Sequence, residues 1–212
     1  MSFYQRAKIL SPFLRFIFNT RAGGTENMPE SGPVILCSNH RSNLDPVIIG
    51  AVIKRTMFFM AKDSLFRVPL LGPLIASLGA FPVTRGAHDT EAIRKSITIL
   101  RRGDVLAMFP EGHRQKEPGP PKRFESGVVR IAQKTGALIV PAAVVCRRRV
   151  RPFNRKYVIV GSPVTVAQLG LTDGSRENLH EASENLRLTV EKLITDYSAK
   201  KYGGTAKTAG KE

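Results

Sequence analysis

Short apolar runs alternate with helical patterns along most of this chain, and that alternation limits the fold more than any other feature. The runs are PVILCSN at 33–39, TMFFMAK at 56–62, AFPVTR at 80–85, DVLAMFPEG at 104–112, ALIVPAAVVC at 137–146 and KYVIVGSPV at 156–164. Each has the length and the β-branched or aromatic content of a buried strand. Helical signals fill the gaps. Asp45-Pro46 is a helix start, because Asp caps and Pro suits the first helical position. PLLGPLIASLG at 69–79 reads as a second helix. Asp89 to Arg102 carries a cap at Asp89 or Thr90, an apolar stripe of Ile93, Ile97 and Leu100, and a stop at Gly103. Ser126 to Thr135 is a helix closed by Gly136, and 176–198 is one with Leu179, Leu186, Val190, Leu193, Ile194 and Tyr197 inward. Strands joined through helices pair in parallel, so the expectation is an α/β fold: a single domain with a largely parallel central sheet flanked by helices. The length, 212 residues, suits one such domain. Ligands of open parallel sheets sit beyond the carboxyl ends of the strands, so the polar residues at those ends matter most.

The charge narrows the partners. Lys and Arg number 33 against 17 Asp and Glu, a formal net charge of +16 and a pI near 10.4. Such a surface favours an anionic partner: nucleic acid, a phospholipid surface or a phosphorylated small molecule. Cys37 and Cys146 lie in apolar runs and read as buried, reduced thiols. The four histidines show no metal-ligand spacing, so no metal is expected. P-loop, GxGxxG and GxSxG patterns are absent, which disfavours nucleotide-hydrolysing and serine-elbow enzymes.

Four strand ends carry candidate chemistry. The first is Asn39-His40-Arg41-Ser42-Asn43-Leu44-Asp45-Pro46. His40 and Asp45 are five apart across a strand-to-helix turn, where a carboxylate can orient an imidazole to take a proton from a hydroxyl. Asp45 reads equally as a plain helix cap. The third run ends in Phe81-Pro82-Val83-Thr84-Arg85-Gly86, where Arg85 can present a guanidinium fork to a phosphate or simply face solvent. The fourth ends in Phe109-Pro110-Glu111-Gly112-His113-Arg114. There Glu111 can accept from a ligand hydroxyl or from Arg85, and the Gly112 amide can face an anion. Val140-Pro141 places a proline inside an apolar strand, the mark of a bend or an exit into a cleft.

In order and spacing these blocks resemble the 1-acylglycerol-3-phosphate acyltransferases, the glycerolipid acyltransferase family with an NHxxxxD box. The resemblance runs from about Pro33 to Ala143 and more loosely to Pro163. It implies transfer of a fatty acyl group from a thioester, acyl-CoA or acyl carrier protein, to the free hydroxyl of lysophosphatidic acid. His40 would be the general base and Asp45 its orienting partner. The hydroxyl would attack directly, with no acyl-enzyme, so Cys37 is set aside as a nucleophile. Arg85 and Gly86 would bind the acceptor phosphate, with Glu111, Gly112 and Arg114 completing the pocket and Lys122 and Arg123 as further phosphate contacts. No cofactor beyond the acyl donor and no metal is implied. Two departures concern the acceptor contacts: His113 stands where the family usually has Thr, and Thr84 where an acid is common. Glycerol 3-phosphate or another lysophospholipid is the alternative acceptor.

The remaining expectations concern the membrane. Residues 3–18 place Phe3, Ala7, Leu10, Leu14 and Ile17 at helical spacing beside Arg6, Lys8 and Arg15, with Phe13, Phe16 and Phe18 widening the apolar face. This pattern suits an amphipathic helix lying on anionic lipid, or one docked on the domain's own core. The expected organisation is therefore 1–22 as a membrane-contacting helix, 23–198 as the acyltransferase domain and 199–212 as a disordered basic tail, with 21–32 as a turn-rich linker. Val68 to Leu78 are candidates for an acyl tunnel. Arg147, Arg148, Arg149, Arg151, Arg155 and Lys156 form a basic cluster between two strands, either a solvated hairpin or a contact for lipid headgroups. Pro12 and Arg15 interrupt any signal-like core, and no uninterrupted run of ~18 apolar residues exists. From the reduced cysteines and the lack of a signal pattern, the expectation is a cytoplasmic protein on the inner face of a membrane. A basic nucleic-acid-binding module is the competing class, but no helix-turn-helix pattern or Trp supports it. A catalytically silent membrane scaffold is a third, disfavoured by the presence of both His40 and Asp45.

Overall fold

The computed structural model describes residues 11–84, 89–115 and 117–203. Seven strands form one sheet in the order β1-β7-β6-β2-β5-β3-β4. They are β1 (Thr20–Gly23), β2 (Val34–Ser38), β3 (Met57–Lys62), β4 (Ala80–Val83), β5 (Val105–Met108), β6 (Leu138–Val145) and β7 (Lys156–Val160). The central five pair in parallel, as the helical connections require. β7 runs antiparallel to β6, and β1 runs parallel to β7. The last two strands therefore point opposite to the rest.

β2 is buried on both faces, which is why its sequence is continuously apolar rather than alternating. Ile35 and Cys37 face one layer with Leu106 of β5 and Ile139 of β6. That layer is covered by α5 (Thr90–Arg101), α6 (Gly127–Thr135) and α7 (Arg176–Tyr202), through side chains such as Leu100, Val129 and Leu186. Val34 and Leu36 face the other layer, covered by Ile48 and Ile49 of α2 (Asp45–Val52). The α5 cap is as expected: the Asp89 carboxylate accepts from the Ala92 amide at 2.9 Å. Its buried face is rotated from the expected stripe and consists of Ala92, Ser96, Ile99 and Leu100. α7 runs to Tyr202, so the expected tail from residue 199 starts inside the helix; residues 204–212 lie outside the described residues.

Pro141 sits in the interior of β6, opposite Cys37 of β2. The site tolerates it because the β7 ladder begins only at Ala142↔Val160 and Val164 bridges back at Ile139. On that side Pro141 is asked only to accept, from the Gly161 amide at 2.8 Å, so the missing N–H removes no ladder bond.

The expected linker at 21–32 is corrected at its start. Thr20–Gly23 is an edge strand, and β1 is too short and polar to carry a strand signal of its own. Gly24 explains the two glycines that read as a linker. Its φ is +72°, and a Cβ there would meet the Val160 carbonyl oxygen at 2.1 Å. Gly32 has a similar φ of +80° with nothing near its missing Cβ. Gly24→Ala should therefore lower stability by at least about 2 kcal/mol, and Gly32→Ala by only about 1 kcal/mol. Parallel thermal or urea unfolding of the two variants checks this difference.

Candidate active site

The turn from β2 into α2 brings His40 and Asp45 together. Asp45 is fully buried, and its Oδ2 accepts from His40 Nδ1 at 2.9 Å, from the Arg41 amide at 2.6 Å and from the Ser42 amide at 2.7 Å. The carboxylate therefore folds the turn back on itself rather than capping α2, and no side-chain cap is made there. With Nδ1–H donated to Asp45, Nε2 is the ring nitrogen left to take a proton. Phe109 at the end of β5 stacks on the imidazole, with ring centroids 4.4 Å apart and an interplanar angle of 25°.

The backbone of His40 is held as firmly as its ring. Its amide donates to Glu111 Oε1 at 2.8 Å, and its carbonyl accepts from the Gln115 amide at 2.7 Å. Glu111 Oε2 accepts from the Lys122 amide at 3.2 Å. Glu111 is thus buried and committed to two backbone donors, a brace for the histidine loop. Burial pushes its carboxyl above the usual range, and the His40 and Lys122 amides pull it back. The Gly112 amide closes the turn onto the Phe109 carbonyl at 3.2 Å, so it does not face an anion. Asn39 has a role that sequence reasoning missed. Its side chain donates to the Val144 carbonyl at 3.2 Å and accepts from the Val144 amide at 2.7 Å, joining the end of β2 to β6 where their ladder runs out. A polar residue just past the end of a buried strand was the available signal.

His40 opens on a cavity of about 350 Å³. Its wall is largely apolar: Leu14 of α1 (Ser11–Ile17), Val47 and Ala51 of α2, Phe59 of β3, Leu65 of α3 (Asp63–Phe66), Leu71 and Ile75 of α4 (Leu71–Ser77), and Leu78 just after it. The expected tunnel-lining segment therefore contributes Leu71, Ile75 and Leu78, and the size lies within the usual range for ligand sites. Two cations join the lining, Arg114 as expected and Lys62 at the end of β3, which the sequence did not single out. Lys122 and Arg123 do not line the cavity; the charge of Arg123 is felt instead by Glu184 on α7. Arg85 and Gly86 lie outside the described residues. Cys37 is buried in the core, and burial, followed by the charge of Glu111, pushes its thiol far above the usual range. A thiolate nucleophile is not available there. Among the described residues no group of His, Cys, Asp and Glu could hold a metal ion.

A carboxylate-held histidine at the carboxyl edge of a parallel sheet, opening on an apolar cavity, can take a proton beside an apolar group. The acyltransferase family model matches residues 19–145, and the chain belongs to that family of O-acyltransferases. The 1-acyl-sn-glycerol-3-phosphate acyltransferase of Bacillus subtilis is 31% identical over 195 residues, covering 88% of this chain and 96% of that protein. The enzyme of the same name from Borreliella burgdorferi is 32% identical over 145 residues, covering 68% of this chain and 56% of its own length. The crystal structure of the 1-acyl-sn-glycerophosphate acyltransferase PlsC from Thermotoga maritima superposes with a TM-score of 0.71 at 22% identity, over 96% of this chain and 81% of that one. That likeness carries the fold, including its mainly parallel sheet.

The bracing of His40 generates a prediction. Glu111→Ala removes the acceptor of two part-buried amides, at a cost of about 1 kcal/mol for each. Its kcat should fall on the order of tenfold through loss of alignment, with the KM for the acceptor little changed. A matching rise in acceptor KM with kcat intact would assign Glu111 to substrate binding instead.

Proposed function

We propose that the protein transfers a fatty acyl group from an acyl thioester to the sn-2 hydroxyl of lysophosphatidic acid, giving phosphatidic acid in phospholipid biosynthesis. The observation that carries this reading is the 2.9 Å His40–Asp45 pair at the mouth of the apolar cavity. The names of the Bacillus and Borreliella relatives support the choice of acceptor. His40 Nε2 takes the proton of the acceptor hydroxyl as the oxygen attacks the thioester carbonyl. The C–O bond forms, the C–S bond breaks, and the proton passes to the departing thiolate. Asp45 keeps the imidazole in the required tautomer and stabilises its protonated form. The acyl chain occupies the cavity, and Arg114 and Lys62 bring positive charge to the anionic ends of donor or acceptor. Arg85 and Gly86 remain proposed contacts of the acceptor phosphate. The donor, acyl-CoA or acyl carrier protein, is a co-substrate, and the step uses no other cofactor.

The proposal includes an anionic phospholipid surface as partner, on the cytoplasmic face of the membrane. Among the described residues no helix is long and apolar enough to cross a membrane. The opposed direction of β1 brings α1 to the carboxyl edge of the central strands, beside the cavity. There Phe13 is 59% and Phe16 81% exposed while Leu14 turns to the cavity. A water-insoluble acceptor can then reach His40 from the lipid surface. Residues 1–10 of the proposed membrane helix lie outside the described residues.

Purified protein should release free thiol from palmitoyl-CoA only when lysophosphatidic acid is also present. His40→Ala should lower the rate by about 10²–10⁴-fold, and Asp45→Asn should also fall steeply, each with an unchanged fold by circular dichroism. Release restored only by acyl carrier protein or another lysolipid would move the substrate and keep the chemistry. Silence with every donor and acceptor would overturn the proposal.

A further inference from the structure

Three residues other than glycine have positive φ among the described residues: Asn19 at 42°, Leu70 at 64° and Phe153 at 66°. Asn accepts this region readily, whereas a bulky side chain held there is strained. The strain at Leu70 and Phe153 is not offset by packing, because the two side chains are 87% and 72% exposed. Their neighbours impose the conformation. Leu70 is the centre of a tight turn closed by the Leu71 amide on the Pro69 carbonyl at 2.7 Å. Phe153 donates its amide to the Ile17 carbonyl at 3.1 Å and accepts from Asn19 Nδ2 at 3.1 Å. The fold thus holds two large apolar side chains out in water, against their backbone preference.

The strand order shows where they stand. Leu70 follows β3, Phe153 lies between β6 and β7, and β5 and β2, with His40 at its end, come between them. At about 4.8 Å per strand, the β3-to-β6 span is roughly 14 Å. Val68, Leu71 and Leu74 are exposed beside Leu70. Around Phe153, Arg147, Arg148, Arg151 and Arg155 are exposed without an acidic partner in salt-bridge range among the described residues, while Arg149 pairs with Glu117 at 2.6 Å. The loop is also fixed in height relative to the dyad, since the Arg41 guanidinium donates to the Cys146 carbonyl at 3.4 Å and the Arg148 carbonyl at 3.2 Å.

We propose that Leu70 and Phe153 are two apolar points that seat the protein on an anionic bilayer on either side of the cavity mouth, with the arginines around Phe153 binding lipid phosphates. This rests on the membrane reading above and names the residues that carry it. An aromatic ring ringed by cations suits the interface between acyl chains and anionic headgroups.

The test is co-sedimentation of the full chain with vesicles of phosphatidylcholine, with and without phosphatidylglycerol, at low and high salt. The protein should partition into the phosphatidylglycerol vesicles and be released by salt. Leu70→Asn and Phe153→Asn should each lower that partition on the order of tenfold. Their Tm should hold or rise, because Asn relieves the backbone. Arg151→Glu with Arg155→Glu should weaken binding and flatten its salt dependence. Turnover of a short-chain, water-soluble donor and acceptor pair should not change in any of these variants. Asn variants that bind like the parent, or whose Tm falls with their binding, overturn the proposal. So does equal binding to pure phosphatidylcholine, or a preference for duplex DNA over vesicles at the same salt. Partition is read without turnover, so a protein that binds as expected but transfers no acyl group would sink the reaction and leave this surface standing.

Discussion

One oxygen atom organises the site. Asp45 Oδ2 takes hydrogen bonds from the His40 ring and from the amides of Arg41 and Ser42. Those bonds set the path of the chain between β2 and α2, the tautomer of the imidazole and the direction of Nε2. Charge-assisted bonds of this kind are the strong ones, and in a buried turn they are costly to leave unmade. The rest of the structure serves to hold that turn. Asn39 fastens it to β6, Glu111 and Gln115 fasten it to the loop after β5, and Phe109 flattens the ring against the cavity wall.

The two unusual edge strands have a functional consequence. Had β1 and β7 run with the other strands, α1 would begin at the opposite edge of the sheet, far from His40. Because β7 turns back against β6, α1 and the arginine-rich loop meet at the carboxyl edge. Lys156 secures the joint, with its buried ammonium donating to the Phe18 carbonyl at 2.7 Å and the Asn154 carbonyl at 2.6 Å. Among the described residues, seven of the nine exposed large apolar side chains (Phe13, Phe16, Val68, Leu70, Leu71, Leu74 and Phe153) lie in segments at this edge. The His40–Asp45 pair, the cavity and the apolar surface therefore share one side of the molecule.

Much of this was legible in the residues. Buried parallel strands announce themselves as continuous apolar runs, and six of the seven were readable; β1 was not, because four residues reading Thr-Arg-Ala-Gly carry no period. His40 and Asp45 were readable because their spacing spans a single turn. Glu111 was readable as important but not in its role: a carboxylate at a strand end looks the same whether it meets a ligand or two backbone amides. Asn39 and Lys62 were passed over because their partners, Val144 and the cavity, are distant in sequence or belong to no one segment.

By itself the sequence determined the α/β alternation, the basic surface and the dyad, since these depend on local period, composition and short spacing. Tertiary structure alone decided what depends on contacts between distant segments. It turned β7 against β6, closed an apolar cavity from α1, α2, β3 and α4, and spent Glu111 on the backbone of His40. It also held Phe153 in a strained, outward conformation, which no local preference would select and which bonds to Ile17 and Asn19 maintain.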